Sequence, residues 1–221
     1  MTASQPIRLR RSRERDLVQA TRTLFDQRGV QDAPIEEIAR EVGIARGLIY
    51  RHFSSKEELY VLTVTDYLDE LDGVLGEAIG LDEDAATQLE QWARAYAGFC
   101  CRYPAFLDCA LSLMRRPAEE LQDAISESVW LRLGQSMAKS ISHISELLRR
   151  GTLEGDFKVE DPDYAANVLW TQTLGVMHLA RIRVGLRQAA PGVPGLFSVT
   201  PERVVETCID SALATVRVGR A

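Results

Sequence analysis

Apolar residues recur along almost the whole chain at intervals of three and four, the period of a helix buried along one face. Leu17, Ala20, Leu24 and Phe25 share such a face, and Gly29 closes it as a C′ residue. Ser12 is the expected N-cap, with Glu14 and Asp16 favourable in the first turn. Pro34 opens a second, shorter helix in which Ile35, Ile38, Ala39 and Val42 fall on one side, and Gly43 ends it. A third segment runs from Arg46 to Phe53. Ser55 and Glu58 form an S-x-x-E capping box, after which Tyr60, Val64, Tyr67, Leu68, Leu71 and Leu75 carry a long helix to about residue 80. Further helices are expected over about 86–103, from Pro104 to Arg116, and from about 118 to 150, where Arg149, Arg150 and Gly151 supply the closing charge and glycine. Two more follow, from Asp161–Pro162 to about Leu186 and from Thr200–Pro201 to about 218. "GLDEDAAT" reads as a linker, "GTLEGDFKVE" as a turn and "RQAAPGVPGLFSV" as a loop. No segment alternates convincingly with period two. The expectation is an all-α chain of about nine helices without internal repeats.

Composition narrows the function. With 221 residues, 46% hydrophobic and 26% charged, the chain suits one large or two small globular domains. No apolar run is long enough to cross a membrane, and the arginines of "MTASQPIRLRRSRERD" precede no apolar stretch, so no secretory signal is expected. The four cysteines (Cys100, Cys101, Cys109, Cys208) show no CxxC and read as reduced cytosolic thiols. The net charge of −6 argues against general polyanion binding, but it is unevenly spread. Residues 1–60 hold eleven Lys/Arg against nine Asp/Glu, and the rest hold fifteen against twenty-three. Five arginines fall in the first fifteen residues. A positive end on an acidic body suggests a localised polyanion contact; a solvated basic tail is the alternative for residues 1–11.

Residues 34–53 have the layout of a helix-turn-helix. Ala39 allows a close crossing, Gly43 supplies the turn, and Val42, Ile44, Ile49 and Phe53 fill the space between the helices. With Ile49 and Phe53 inward, Arg46, Gly47, Leu48, Tyr50, Arg51 and His52 lie outward or flanking. Such a helix can present cations and hydroxyls to phosphates and a few side chains to base edges in a major groove. Gly47 would permit close approach. A helical hairpin with a solvated basic face fits the spacing too.

The segments "LFDQRG", "IEEIAREVGIARGLIYRHF" and "SSKEEL" together resemble the TetR family of bacterial transcriptional regulators, over roughly residues 12–72. The resemblance implies a helix-turn-helix DNA-binding domain over 12–72, preceded by a basic arm over 1–11 and followed by a ligand-binding and dimerisation domain over 73–221. It implies phosphate contacts from Tyr50, His52 and Lys56, the last in the first turn of its helix, where backbone N–H groups can share the anion. Arg46, Gly47, Leu48 and Arg51 would face bases or adjacent backbone, with Arg46 the candidate for guanine. The chain departs from the family in opening its two helices with Ala33–Pro34 and Ala45 instead of hydroxyl residues, and in having Leu48 where Thr is common. Arg8, Arg10, Arg11, Arg13 and Arg15 are candidates to enter the minor groove.

The rest of the chain follows from the same resemblance. A homodimer through the last two helices would double the base contacts on a near-palindromic double-stranded operator. Gly175 and the stripe Val205, Cys208, Ile209, Ala212 and Val216 suit that interface, though the stripe could equally face its own core. Trp92, Tyr96, Phe99, Phe106, Met114, Trp130, Met137, Trp170 and Met177 are each ordinary core residues taken singly. Together they suggest an internal pocket for a hydrophobic or amphipathic effector, with His178, Gln172 or Arg181 as its polar contact. The implied activity is a cytoplasmic, ligand-responsive regulator, most simply a repressor, without cofactor or metal. Two alternatives remain: a thiol-redox sensor using Cys100, Cys101 and Cys109, and a helical enzyme, for which no catalytic motif is present.

Overall fold

The computed structural model describes residues 5–29, 33–80 and 83–217, with side chains from Ser12 to Val216. Ten helices and one two-stranded hairpin make up the described chain. Helices α1 (Gln5–Arg28), α2 (Ile35–Glu41) and α3 (Arg46–Ile49) form a small head packed on the start of α4 (Lys56–Ala78). Helix α1 continues without a break through Ser12, the expected cap, to begin at Gln5; the side chains of residues 1–11 lie outside the described residues. Gly29 and Gly43 both have positive φ (62° and 70°), the backbone needed where each helix turns off.

The body is built around α4. Helices α5 (Ala85–Arg102), α6 (Pro104–Met114), α7 (Ala118–Ala124), α8 (Glu127–Glu154), α9 (Pro162–Ile182) and α10 (Pro201–Arg217) enclose it, with α8 lying along α4 and α10 packed on α5 and α9. Its centre is aromatic. Tyr96 stacks on Trp170 at 4.4 Å, Phe99 meets Phe106 edge-on at 5.1 Å, and Trp92 and Tyr96 are fully buried.

Three expectations need correction, and the choice left open for the α10 stripe is resolved. The helix over 118–150 is two helices, broken at Ile125–Ser126. Its end is not Gly151, which lies inside α8 with the Phe157 ring packed against it; the left-handed residue that closes α8 is Gly155, φ 87°. The stripe Cys208, Ile209, Ala212 and Val216 faces the subunit's own core, buried against the body, with Val205 half-buried. The segment read as a loop is an antiparallel hairpin, β1 (Val184–Ala190) and β2 (Val193–Ser198), with Leu186 opposite Leu196 and Gly185 opposite Phe197. Pro191 and Gly192 (φ 74°) make its turn, a Pro–Gly order suited to a tight reversal.

Candidate nucleic-acid interface and interior cavity

The head is held by Ile35, Ile38, Ala39, Ile49 and Phe53, all buried, with Val42 and Ile44 packed against them. The Ile44 N–H donates to the Ala39 carbonyl at 2.9 Å, which fixes the turn between α2 and α3. Neither Pro34 nor Ala45 gives a side-chain cap to the helix it precedes, as their residue types require. Regular α3 covers only Arg46–Ile49. The chain continues through tighter turns to Phe53, whose N–H donates to the Ile49 carbonyl at 3.0 Å.

The outer rim is as the spacing requires, with two differences. Arg46, Gly47, Tyr50, Arg51 and Lys56 are exposed, and Leu48 is half-buried. A Cβ added at Gly47 would meet nothing within 4 Å, so the bare backbone there opens on free space. Arg46 is not idle: its guanidinium pairs with Glu36 Oε1 at 2.6 Å and lies 5.9 Å from the Tyr50 ring. A hydrogen bond to Tyr50 and the Glu36 charge both raise its pKa. Reading a base would require Arg46 to trade Glu36 for it. His52 is half-buried rather than outward. Its Nδ1 lies 3.8 Å from Glu14 Oε1, beyond hydrogen-bond reach, so the ring is turned toward α1.

Two polar clusters, neither legible locally in the sequence, join this head to the body. Arg22 of α1 is buried, pairs with Asp66 at 2.7 Å and with Glu70, and lies 4.1 Å over the Tyr67 ring. Burial opposes its charge, but the two carboxylates more than offset that and raise its pKa. Burial likewise pushes the Glu70 carboxyl up, yet the Tyr103 hydroxyl, donating at 2.7 Å, and Arg22 bring it below the usual carboxylate range. The second cluster lies at the start of α4. Glu58 is buried and accepts from the Ser54 N–H at 2.5 Å and from the Ser126 hydroxyl, 68 positions away. Those donors outweigh burial and lower its pKa. The Ser55 hydroxyl, which accepts from the Glu58 N–H, donates to the Ala124 carbonyl at 3.0 Å. The Ser55 cap is therefore present, with the Glu58 carboxylate returning to the Ser54 N–H in place of that of Ser55, and it also ties the start of α4 to the α7–α8 break. Ser126 spends its hydroxyl there and gives no side-chain cap to α8.

An apolar cavity of about 190 Å³ lies between α4, α6, α7, α8 and α9. Of the residues expected around a pocket, Phe106, Met114, Trp130, Met137 and Trp170 line it. Trp92, Tyr96 and Phe99 instead pack in the aromatic centre, Met177 faces a separate cleft beside Cys100 and Cys101, and His178 is exposed. Arg181 is held on the surface by Asp108 at 3.2 Å and by the Gly29 carbonyl at 2.7 Å, and Gln172 does not line the cavity. The one charged lining residue is Arg116, which periodicity could not mark because it lies in the turn after α6. Leu121 and Ala118 place α7 in the cavity wall.

Chemistry other than binding finds little support in the cysteines. Burial pushes the Cys109 thiol up to about 12 and that of Cys208 up to about 11, and raises Cys100 and Cys101 too. Thiols so raised are poor nucleophiles near neutrality. Among the described residues no group of His, Cys, Asp and Glu could hold a metal, and no helix is long and apolar enough to cross a membrane.

A helix-turn-helix head with an exposed cationic rim is the geometry of a DNA-binding module. Residues 17–62 match the model of bacterial regulatory proteins of the tetR family. The repressor KstR2 of Mycolicibacterium smegmatis is 39% identical over 72 residues, 33% of each chain. The activator FasR of the same species is 31% identical over 90 residues, 41% of each. These alignments span about a third to two fifths of those relatives' length. In overall fold the chain is similar to RolR solved with resorcinol, with a TM-score of 0.69 at 17% identity, covering 96% of this chain and 91% of that one. Residues 17–62 therefore carry the segment shared with tetR-family regulators, and the relatives that match there are named as transcriptional regulators.

Proposed function

We propose that the chain is a ligand-responsive regulator that binds a near-palindromic operator as a homodimer and is released by a small hydrophobic or amphipathic effector. The observation that carries this reading is the link between cavity and head: α7 forms part of the cavity wall, and its end is hydrogen-bonded through Ser126 and Ala124 to Glu58 and Ser55 at the start of α4. One turn before lies the rim of Arg46, Tyr50 and Arg51, with Lys56 beside it.

A cavity of about 190 Å³ takes a molecule on the order of one substituted aromatic ring, since roughly 150 Å³ suffices for benzene. Arg116 suits an acceptor or anionic group on that ring. RolR's resorcinol is of this size, which supports the reading by analogy of fold alone.

In the DNA-bound form Tyr50, Arg51 and Lys56 would hold phosphates while Arg46 and Leu48 face base edges. His52, turned toward α1, is assigned to positioning rather than contact. The dimer would form on the outer face of α9, where Tyr164, Thr171, Gly175, His178 and Ile182 are exposed at helical spacing, with α10 flanking. An effector that displaces α7 would shift the start of α4 and with it the rim. Such coupling is typically about 1–3 kcal/mol, a 5- to 150-fold loss of operator affinity.

The test begins with genome-wide recovery of bound DNA, followed by anisotropy titrations of the recovered duplex across a salt series. Affinity should fall steeply with salt, by about 0.9 log units per log unit of salt for each phosphate neutralised. Thermal-shift screening of single-ring phenols and aromatic acids should then find a compound that stabilises the protein and releases the duplex. A chain that ignores every duplex at low ionic strength would refute the reading.

A further inference from the structure

The hairpin β1–β2 sits oddly on this protein. It projects from the junction of α9 and α10, and its pairing is internal. Its outward side chains are apolar: Leu186 is 76% exposed, Leu196 67% and Val193 52%. Residues 184–198 carry a single charge, Arg187, in a chain that is 26% charged, so it is not built as a solvated loop. An isolated two-stranded hairpin is marginal in water, and an apolar edge invites pairing unless something covers it.

A matching surface lies on the same molecule, and the hairpin of the same copy does not fill it. A shallow apolar groove of about 820 Å³ runs along α8 from Trp130 to Arg149, beside Asp163 and Asn167 at the start of α9. Its floor includes Leu131, 59% exposed, with Gly134, Ala138 and Ile141. The hairpin follows Ile182, about 28 Å along α9 from Asp163 at one end of the groove; the other end, Trp130, lies nearer, beside Trp170 and Leu174, yet no hairpin residue lines the groove. A two-fold axis supplies a second hairpin for it. If two α9 helices pack antiparallel about Thr171–Gly175, Ile182 of one copy comes opposite Asp163 of the other. The hairpin of each copy then reaches the groove of its neighbour. Seven residues of strand span about 23 Å, close to the groove's length, and Glu146 offers Arg187 a partner.

We infer that residues 184–198 form an arm that lies in the α8 groove of a second copy of this chain, exchanged reciprocally across the two-fold axis. This rests on the dimer reading above and extends it. The thirteen strand residues and the fourteen groove residues would join the α9 face and its α10 flank in the interface, whose standard size is roughly 20–30 residues per partner. The interface is isologous, as two-fold symmetry demands: arm to groove and groove to arm.

The test is a full-length double variant, Ala138→Cys with Leu196→Cys, in a Cys101→Ser background, mildly oxidised and resolved by non-reducing electrophoresis and peptide mass spectrometry. A covalent dimer joined through positions 138 and 196 is expected. A second variant, Leu186→Ser with Leu196→Ser, should keep its helical circular dichroism and weaken dimerisation at least about tenfold in sedimentation. An internal disulfide in a monomer, or no cross-link and an unchanged dimer constant while the unmodified chain sediments as a dimer, overturns the arm and leaves the dimer standing. An unmodified chain that is monomeric at micromolar concentration overturns both.

Discussion

Arg22 offers a quantitative test of how the head is fixed to the body. Replacing it with Met keeps the apolar stem but strips two carboxylates, Asp66 and Glu70, of their cation. Breaking one side of a buried pair costs about 3–5 kcal/mol. Here the carboxylates are about a third exposed, 36% and 34%, so solvent screening reduces the figure to roughly 2–3 kcal/mol. For a chain of this size each kcal/mol lowers Tm by about 2–4 °C, giving a fall of roughly 4–12 °C at pH 7. The pH dependence is fixed in sign. Glu70 is held below its ordinary pKa in the folded protein, so its contribution is present above the unfolded value near 4.3 and is lost as pH falls through the folded one. The deficit of Arg22→Met is therefore largest near neutrality and shrinks below about pH 4.5. Differential scanning fluorimetry across pH 4–8 measures it. Adding Asp66→Asn and Glu70→Gln should recover part of the loss, because neutral replacements leave no stranded charge. A Tm change under about 1 °C, or a deficit that does not vary with pH, would refute the reasoning.

Other predictions concern single contacts. On a recovered duplex, Tyr50→Ala and Lys56→Ala should weaken binding almost uniformly across sequences and reduce the salt slope by about one phosphate each; Arg46→Ala should also relax base preference in a randomised-site selection. Glu36→Gln, which removes Arg46's competing carboxylate, should strengthen binding a few-fold in the same anisotropy assay. Gly151→Ala should lower Tm despite the better helix propensity of Ala, because a Cβ would meet the buried Phe157 ring at 2.4 Å and overpacking costs about 1–3 kcal/mol. Ser126→Ala should cost about 1–2 kcal/mol in urea melts at pH 7 and less as Glu58 protonates at lower pH.

What the sequence revealed followed the range of its signals. Periodicity and caps act within a turn or two, so the head, the Ser55 cap and the ends of α4, α5 and α10 were legible in it. The break at Ile125–Ser126 was not, because the apolar stripe runs on through both helices and Ser126 serves a carboxylate 68 positions distant. The hairpin was hidden by its own composition: Pro194, Gly192 and Gly195 read as loop, although Pro191–Gly192 was a usable turn signal. Among the aromatic and methionine residues, periodicity marked burial but not which side of a buried helix faces a void. Phe106 and Trp170 border the cavity while Trp92 and Tyr96, equally apolar in spacing, pack solidly. Outwardness at His52 failed for a related reason, since α1 folds over it.

Ser126 has one side-chain rotamer to occupy and two uses for it. In the rotamer that hands its hydrogen to Glu58, its oxygen accepts no N–H from the first turn of α8; when Glu58 lets go, the side chain can rotate to accept one. The first partner is worth about 1.5–3 kcal/mol and the second about 1. Parting from the carboxylate is thus partly refunded on the spot, and the toggle sits within roughly 0.5–2 kcal/mol of balance, a gap that a molecule of only a few carbon atoms has enough binding energy to tip.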